Sequence, residues 1–521
     1  MMIQRASFAQ DLLALRQCFL ELIPLLELQK DWYASIYFER KISKNYTVQL
    51  KQTQISNSFS QGVIFRIYNG YTLFEEASDD GNLERLKEKA QAFAKRVAQY
   101  SVSSGLRKRV YSPPSWQERL HVSLDSEIIS QIPKNPSSKA PVHFGIRWKN
   151  DPIIAKASER IQRLKALIEK FQAQAQEEGF PKDSFHFVSV REKFVLEETI
   201  FVDRTVNLSQ TLYRLMQLFS VVSDTDSVWA QVGGLGGLEV LEDLDSKFSG
   251  LLKDLKNLKH AEKLKPGKYR LLVGPDVTGV LAHEAFGHSQ EGDTCARGRS
   301  RAWELYHTEQ LAGNSYATIM NNPALFQHGT KDFGAWGSYF FDEEGWLARE
   351  QVLLDQGKLC APMTHLLSAL RLNVPRTANG KRENWAHGIY TRQTNTYFTP
   401  GEDTLEELMK KLGNGFLALH SAGGMEDPKG MGIQVGIAYL YEIKNGHFTG
   451  KIYKGPAGGE IQMTGYTPDI LFSIDGKSKI QVDQSFSDQV RFPFHEIGGC
   501  GKYHKEFVHA GTGGPYLLLK E

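Results

Sequence analysis

The sequence predicts an α+β protein of two domains. An N-terminal α+β domain with an antiparallel sheet and long helices is expected over residues 1–245, and a C-terminal, mostly antiparallel β domain carrying one chemically loaded helix over residues 246–521. Three observations lead there. A chain of 521 residues exceeds what one hydrophobic core usually supports. In the first half, stretches with apolar residues at helical spacing take turns with stretches of period-two alternation. In the second half, glycine, aromatic and β-branched residues dominate, the composition of sheet and turn.

The elements follow in order. From Leu12 to Gln29 leucines recur at helical spacing, and "YTVQLKQTQISNSFSQGVIFRIYNGYTLFEEAS" then alternates as antiparallel strands do. "NLERLKEKAQAFAKRVAQY" returns to helix. "IIAKASERIQRLKALIEKFQAQAQEEG" is a long amphipathic helix closed by Gly179. "FHFVSVREKFVLEETIFVDRTVNLSQTLYRLMQLFSVVS" reads as a second meander. Glycines, a charged helix and a Pro-Gly turn across "WAQVGGLGGLEVLEDLDSKFSGLLKDLKNLKHAEKLKPGKY" mark the crossover between domains. "YRLLVGPD" is a strand ending in a turn, and "VTGVLAHEAFGH" is the helix entered from it. Asn445-Gly446 predicts a hairpin turn, while Thr404 and Glu407 stand in capping-box spacing before a helix that a glycine stops.

Composition excludes several classes of function. Lys plus Arg is 62 against 60 for Asp plus Glu, a net charge of +2, so no global basic field argues for nucleic acid. No run of about 18 apolar residues suits a membrane span, and the N-terminus lacks the pattern of a secretory signal. Four cysteines, at 18, 295, 360 and 500, are too few and scattered for a disulfide framework, so a reducing cytoplasm is expected. The sequons at Asn45 and Asn207 then carry no weight.

The chemistry concentrates in "LAHEAFGHSQEGDTC", residues 281–295, where His283, Glu284 and His288 fall within six positions. Imidazoles and a thiolate suit zinc, whose catalytic sites keep three protein ligands. Residues five apart on a regular helix diverge by about 140°, so the two histidines share a metal only if the helix widens, bulges or ends between them. Gly287 is where such a departure is easiest. Glu284 is placed to take a proton from an activated water without being a ligand. The plain alternative is a helix with one packed and one exposed histidine, unrelated to each other. From the residues alone the third ligand stays open among Glu291, Asp293, Cys295 and the distant Cys500 in "HEIGGCGKYHKE", and a buried inert thiol is the commoner fate of an intracellular cysteine.

Beyond this motif, "GSYFFDEEGW", "TANGKRENWAHGIYTRQTNTYFTPGEDTLEELMKKLGNG", "YLYEIKNGHFTGKI", "GYTPDILFSIDG" and "GGCGK" follow in an order that resembles the TldD/PmbA metallopeptidases, the modulator of DNA gyrase family. Upstream, "QISNSFSQGVIFRIYNGYTLFEEAS" and "VWAQVGGLGGLEVL" look like that family's first domain. The resemblance implies one Zn²⁺ held by His283, His288 and Cys500, with Glu284 as general base, and leaves Cys295 a bystander. It implies the catalytic, TldD-like type of subunit, cleaving unfolded or short peptides inside a dimer-enclosed chamber, as a homodimer or with a TldE/PmbA-like subunit. A non-catalytic peptide-binding or gyrase-modulating subunit is the rival reading. Tyr390, Arg392 and Asn395 lie in a family-like segment and read equally as substrate contacts or as a structural network. The tail "CGKYHKEFVHAG" departs from the family's pattern after the cysteine.

Overall fold

The computed structural model describes residues 3–101, 107–121, 123–138, 140–223, 226–327, 333–479, 496–502 and 506–520. The first half is built on a seven-stranded sheet whose centre is a pair of long hairpins, Tyr33–Gln49 with Thr53–Tyr68 and Phe187–Asp203 with Asn207–Val222. All its pairings are antiparallel except that of Val142–Gly145 with Asn207–Val222. Ile36, Phe38, Tyr46 and Val48 share one face by the two-residue period. Helices Leu13–Leu26 and Leu83–Ala98 cover the first two, and helix Ala157–Glu177 the last two. Asn82 caps the second of these helices by accepting from the Arg85 amide at 3.1 Å, and Gly179 ends the third at φ +87°.

The glycine-rich start of the segment read as a domain crossover is a strand. Ser227–Leu235 pairs with Asn207–Val222 and buries Val228, Ala230 and Val232 at every second position. Its glycines disguised the alternation. The charged helix that follows, Phe248–Leu258, buries Phe248, Leu251, Leu252 and Leu255 in a cluster drawing on both halves, including Phe171 and Val190 from the first and Leu272, Leu405 and Tyr439 from the second. Division into 1–245 and 246–521 is kept as a proposal, and the interface between the two is apolar.

The second half holds two larger sheets. One runs from Glu262–Lys263 through the strands His447–Lys454, Gly432–Lys444 and Gly415–Asp427 to Leu271–Val273, Leu517–Leu519 and Ile474–Lys477, with Ile461–Tyr466 joined to Gly432–Lys444. Asn445 and Gly446 both take positive φ, 50° and 76°, in the predicted hairpin turn. The other sheet runs Lys358–Leu359, Gln351–Asp355, Ile319–Asn321, Asn395–Phe398, Val508–Gly513, Glu496–Cys500. Pairing is mostly antiparallel, as expected, with parallel pairs where the chain returns from a distance. Helix Pro275–Ala282 packs against Gly415–Asp427 of one sheet and against Asn395–Phe398 and Val508–Gly513 of the other. That position carries whatever follows the helix into the space where the sheets meet.

Candidate metal centre

Strand Leu271–Val273 delivers the chain to Pro275, whose fixed φ opens the helix. After Ala282 the α geometry stops: His283–Gly287 form a π-helical turn and His288–Gln290 a 3₁₀ turn. A π turn takes more residues per revolution and so brings i and i+5 together. The two imidazoles consequently meet at right angles with ring centroids 4.9 Å apart. Gln393 supports the widened turn, its Nε2 donating to the His283 carbonyl at 3.2 Å while its Oε1 accepts from the Thr396 hydroxyl at 2.8 Å. A Cβ on Gly287 would fall 1.9 Å from that Oε1. Glycine is needed here for close approach.

Cys500 arrives on Glu496–Cys500, an edge strand paired antiparallel with Val508–Gly513. Its Sγ lies 3.4 Å from His288 Nε2. One donor atom each from His283, His288 and Cys500 all lie within 4.8 Å of one another, and among the described residues no other His, Cys, Asp or Glu group is so arranged. Arg392, fully buried, donates to the carbonyls of both Cys500 and Glu506 and places its Nε 3.8 Å from Glu291. Glu284 is 7 % exposed and sits 4.0 Å from His288 Nε2. Strand Gly415–Asp427 crosses it so closely that a Cβ on Gly424 would lie 2.8 Å from Glu284 Cγ.

Electrostatics bind the cluster together. Burial alone would raise the Cys500 thiol, but His288, His283 and Arg392 outweigh burial and hold it well below its ordinary value. Burial likewise opposes the charged form of His288, yet Cys500 and Glu291 push that imidazole well above its usual value. Each group thus favours the charged form of the other. Glu291 accepts from His288 Nδ1 at 3.3 Å and from Lys502 at 2.7 Å. These cations override the effect of burial and keep its carboxylate ionised. Two imidazoles and a thiolate form a donor set that zinc favours, and His283 Nδ1 is buried with no hydrogen-bond partner among the described residues. The residues present fit the metal.

The other candidates fall elsewhere. Cys295 is buried with its thiol pushed up to about 12 by burial, and donates to the Ser289 carbonyl at 3.5 Å. Asp293 pairs with Lys502 at 2.7 Å. Glu291 touches His288 on the ring nitrogen farther from Cys500, the arrangement that orients an imidazole. Asn395 is fully buried and bonded to Asn322, Gly337 and Ser338, a structural network. Tyr390 is half-buried beneath the Arg297 guanidinium. Residues 503–505 of the divergent tail lie outside the described residues.

All four central side chains open into one cleft of about 730 Å³. Its far wall carries Glu426, which the sequence does not single out because "GGMEDPKG" holds no motif. Burial and the like charges of Glu284 and Glu291 push its carboxyl well above the ordinary value against the pull of His288. Gln393 and Lys502 also had no sequence signal beyond their place in family-like segments.

The chain is similar to known proteins. The family model described as the PmbA/TldA metallopeptidase C-terminal domain matches residues 266–521, and TldE of Thermococcus kodakarensis superposes with a TM-score of 0.64 over 96% of this chain and 99% of its own. Residues 266–521 belong to the TldD/PmbA family. TldE is only 16% identical, so the likeness is one of fold. Among curated family relatives, Metalloprotease MJ0996 of Methanocaldococcus jannaschii is 28% identical over 278 residues, 52% of this chain and 57% of that protein. The zinc metalloprotease TldD homolog of Saccharolobus solfataricus is 26% identical over 280 residues, 54% of this chain and 56% of its own. The matched stretch thus spans a little over half the length of these relatives.

Proposed function

We propose that the protein is a TldD-type, zinc-dependent metallopeptidase that cleaves unfolded or short peptides in a chamber enclosed by a dimer, either of two copies or with a TldE/PmbA-like partner. The observation that carries the reading is the meeting of His283, His288 and Cys500 within 4.8 Å beside Glu284 in an open cleft. The names of the relatives, "metalloprotease" and "zinc metalloprotease TldD homolog", support it. The fold of TldE supports the proposed partnership. His283, His288 and Cys500 would hold the zinc, which when bound polarises the scissile carbonyl. Glu284, on the same widened turn, accepts the proton of the attacking water and returns it to the leaving amine. Glu291 and Arg392 keep His288 and Cys500 in place.

Two features of the cleft favour a strand-like substrate. Among the described residues, Glu496–Cys500 lies at a sheet edge, and Gly415–Asp427 pairs with Leu271–Val273 only over Phe416–Ala418. Backbone left unpaired at such edges pairs with any extended peptide, largely irrespective of sequence. Among the described residues no helix is long and apolar enough to cross a membrane, and a cytoplasmic setting is proposed from the free cysteines. The rival reading, a non-catalytic subunit, has no use for Glu284 beside a complete donor set.

Metal analysis together with cleavage of a disordered peptide, alone and with a TldE-like partner, tests the assignment. Wild type should bind one zinc and cut; Glu284→Ala should keep the zinc and lose cutting by roughly a hundredfold or more. Equal cleavage by both would overturn the role of Glu284. Zinc lost from Cys295→Ala but kept by Cys500→Ala would overturn the ligand set.

A further inference from the structure

Glu426 is a half-buried carboxyl with no ion-pair partner among the described residues, in a cleft where the buried charges have one. Along Gly415–Asp427 the register is regular from Gly424 to Asp427, so Gly424 and Glu426 point to the same face by the two-residue period. Gly424 abuts Glu284. Glu426 therefore rises from the wall on the side of the proposed metal, about 7 Å farther along, while Met425 faces away and is 63 % exposed. Its Oε1 is shielded and makes no hydrogen bond among the described residues. Lys502 is taken by Glu291 and Asp293, and neither Arg299 nor Lys429, both lining the cleft, pairs with Glu426 among the described residues.

The charges in contact at the proposed metal pair off without it. A zinc dication is matched by the Cys500 thiolate and the Glu284 carboxylate, and Lys502 with Arg392 match Glu291 with Asp293. One shielded carboxyl without an ion-pair partner among the described residues remains, held toward its neutral form until a cation joins it, and it faces the space a substrate would fill. We propose that Glu426 is the specificity-determining residue, accepting an ammonium group of the peptide within one or two residues of the bond to be cut. An extended peptide advances about 3.3 Å per residue, so the offset from Glu284 corresponds to about two residues, less the reach of the glutamate side chain. Such an ammonium is either the free N-terminus of a peptide trimmed from its amino end or a lysine side chain. This inference rests on the peptidase reading above.

Binding to the zinc-loaded Glu284→Ala protein separates the two claims, because it needs no turnover. The probes are the pentapeptide amide Ala-Ala-Ala-Ala-Trp, its N-acetyl form, and N-acetyl peptides with lysine or norleucine at the second position, followed by calorimetry. An ammonium-bearing peptide should bind roughly tenfold tighter or more than its uncharged counterpart. The pair that differs identifies the source, N-terminus or lysine. Glu426→Gln in the same background should abolish the difference with zinc content and thermal midpoint unchanged, and Glu426→Asp should retain part of it. Equal affinities within both pairs, a preference that survives Glu426→Gln, or no binding by any probe at millimolar concentration overturns the proposal. Failure of the wild type to cut peptides that the Glu284→Ala protein binds would instead overturn the peptidase reading and leave the recognition standing.

Discussion

Replacing Gly287 by alanine tests how the widened turn is held. Gly287 has φ −71° and ψ −63°, a conformation open to any residue, and alanine is the better helix former by about 1 kcal/mol. Backbone considerations alone thus predict stabilisation. The added Cβ, however, would stand 1.9, 2.3 and 2.6 Å from Oε1, Cδ and Nε2 of Gln393. Gln393 is buried and tied at both ends, to the His283 carbonyl and the Thr396 hydroxyl. Relief comes either by expelling the amide, at about 1–3 kcal/mol for each buried partner left unpaired, or by shifting packed backbone at about 1–3 kcal/mol. After subtracting the helix gain, the first route costs about 1–5 kcal/mol and the second up to about 2 kcal/mol, so with the cheaper route open a net loss of about 1–2 kcal/mol is expected. Denaturant unfolding of wild type, Gly287→Ala, Gln393→Ala and the double variant measures it. Once the amide is gone the new methyl has room, so the double variant should be no less stable than Gln393→Ala alone, a coupling of at least about 1 kcal/mol. Gly287→Ala as stable as wild type, or a strictly additive double variant, would refute the reasoning.

Three further outcomes follow from the same geometry. Arg392→Lys keeps the charge but loses the fork that holds the Cys500 and Glu506 carbonyls together, so affinity for zinc, measured against a competing chelator, should fall about 10–100-fold. Burial depresses His143 to about 4, its bond to the Ala6 carbonyl notwithstanding. Between pH 6.5 and 4 the unfolded chain therefore binds a proton that the folded one refuses, and stability falls as pH is lowered through that window by up to about 3 kcal/mol. The drop in thermal midpoint from pH 7.5 to 4.5 should be smaller in His143→Gln; an identical drop would show that His143 is not its source. Gly179 has φ +87° with nothing within 4 Å of an added methyl, so Gly179→Ala should cost about 1–2 kcal/mol through backbone conformation alone, read by thermal unfolding.

The sequence by itself determined what rests on neighbours along the chain. Helical spacing with Thr404 and Gly179 as punctuation located the helices, Asn445-Gly446 located its hairpin, and His283, Glu284 and His288 declared themselves by donor chemistry within six residues. Even the non-standard spacing was informative, because a fixed rise and twist per residue forces a departure from α geometry if the imidazoles are to meet, and a π turn is found at His283–Gly287. Local patterning failed where glycine blanked it, at Ser227–Leu235, whose strand character lies in its pairing with Asn207–Val222. Tertiary structure alone decided everything that depends on which distant strands lie side by side. From the residues Cys500 was one open choice among four, favoured only through the family resemblance. The edge strand it occupies places its sulfur 3.4 Å from an imidazole 212 residues earlier and sets the Glu291 carboxylate behind that ring. Glu426 and Gln393 carry no motif at all. Their importance comes from a strand register and from a contact too close for any residue but glycine, and neither is written in the order of nearby side chains.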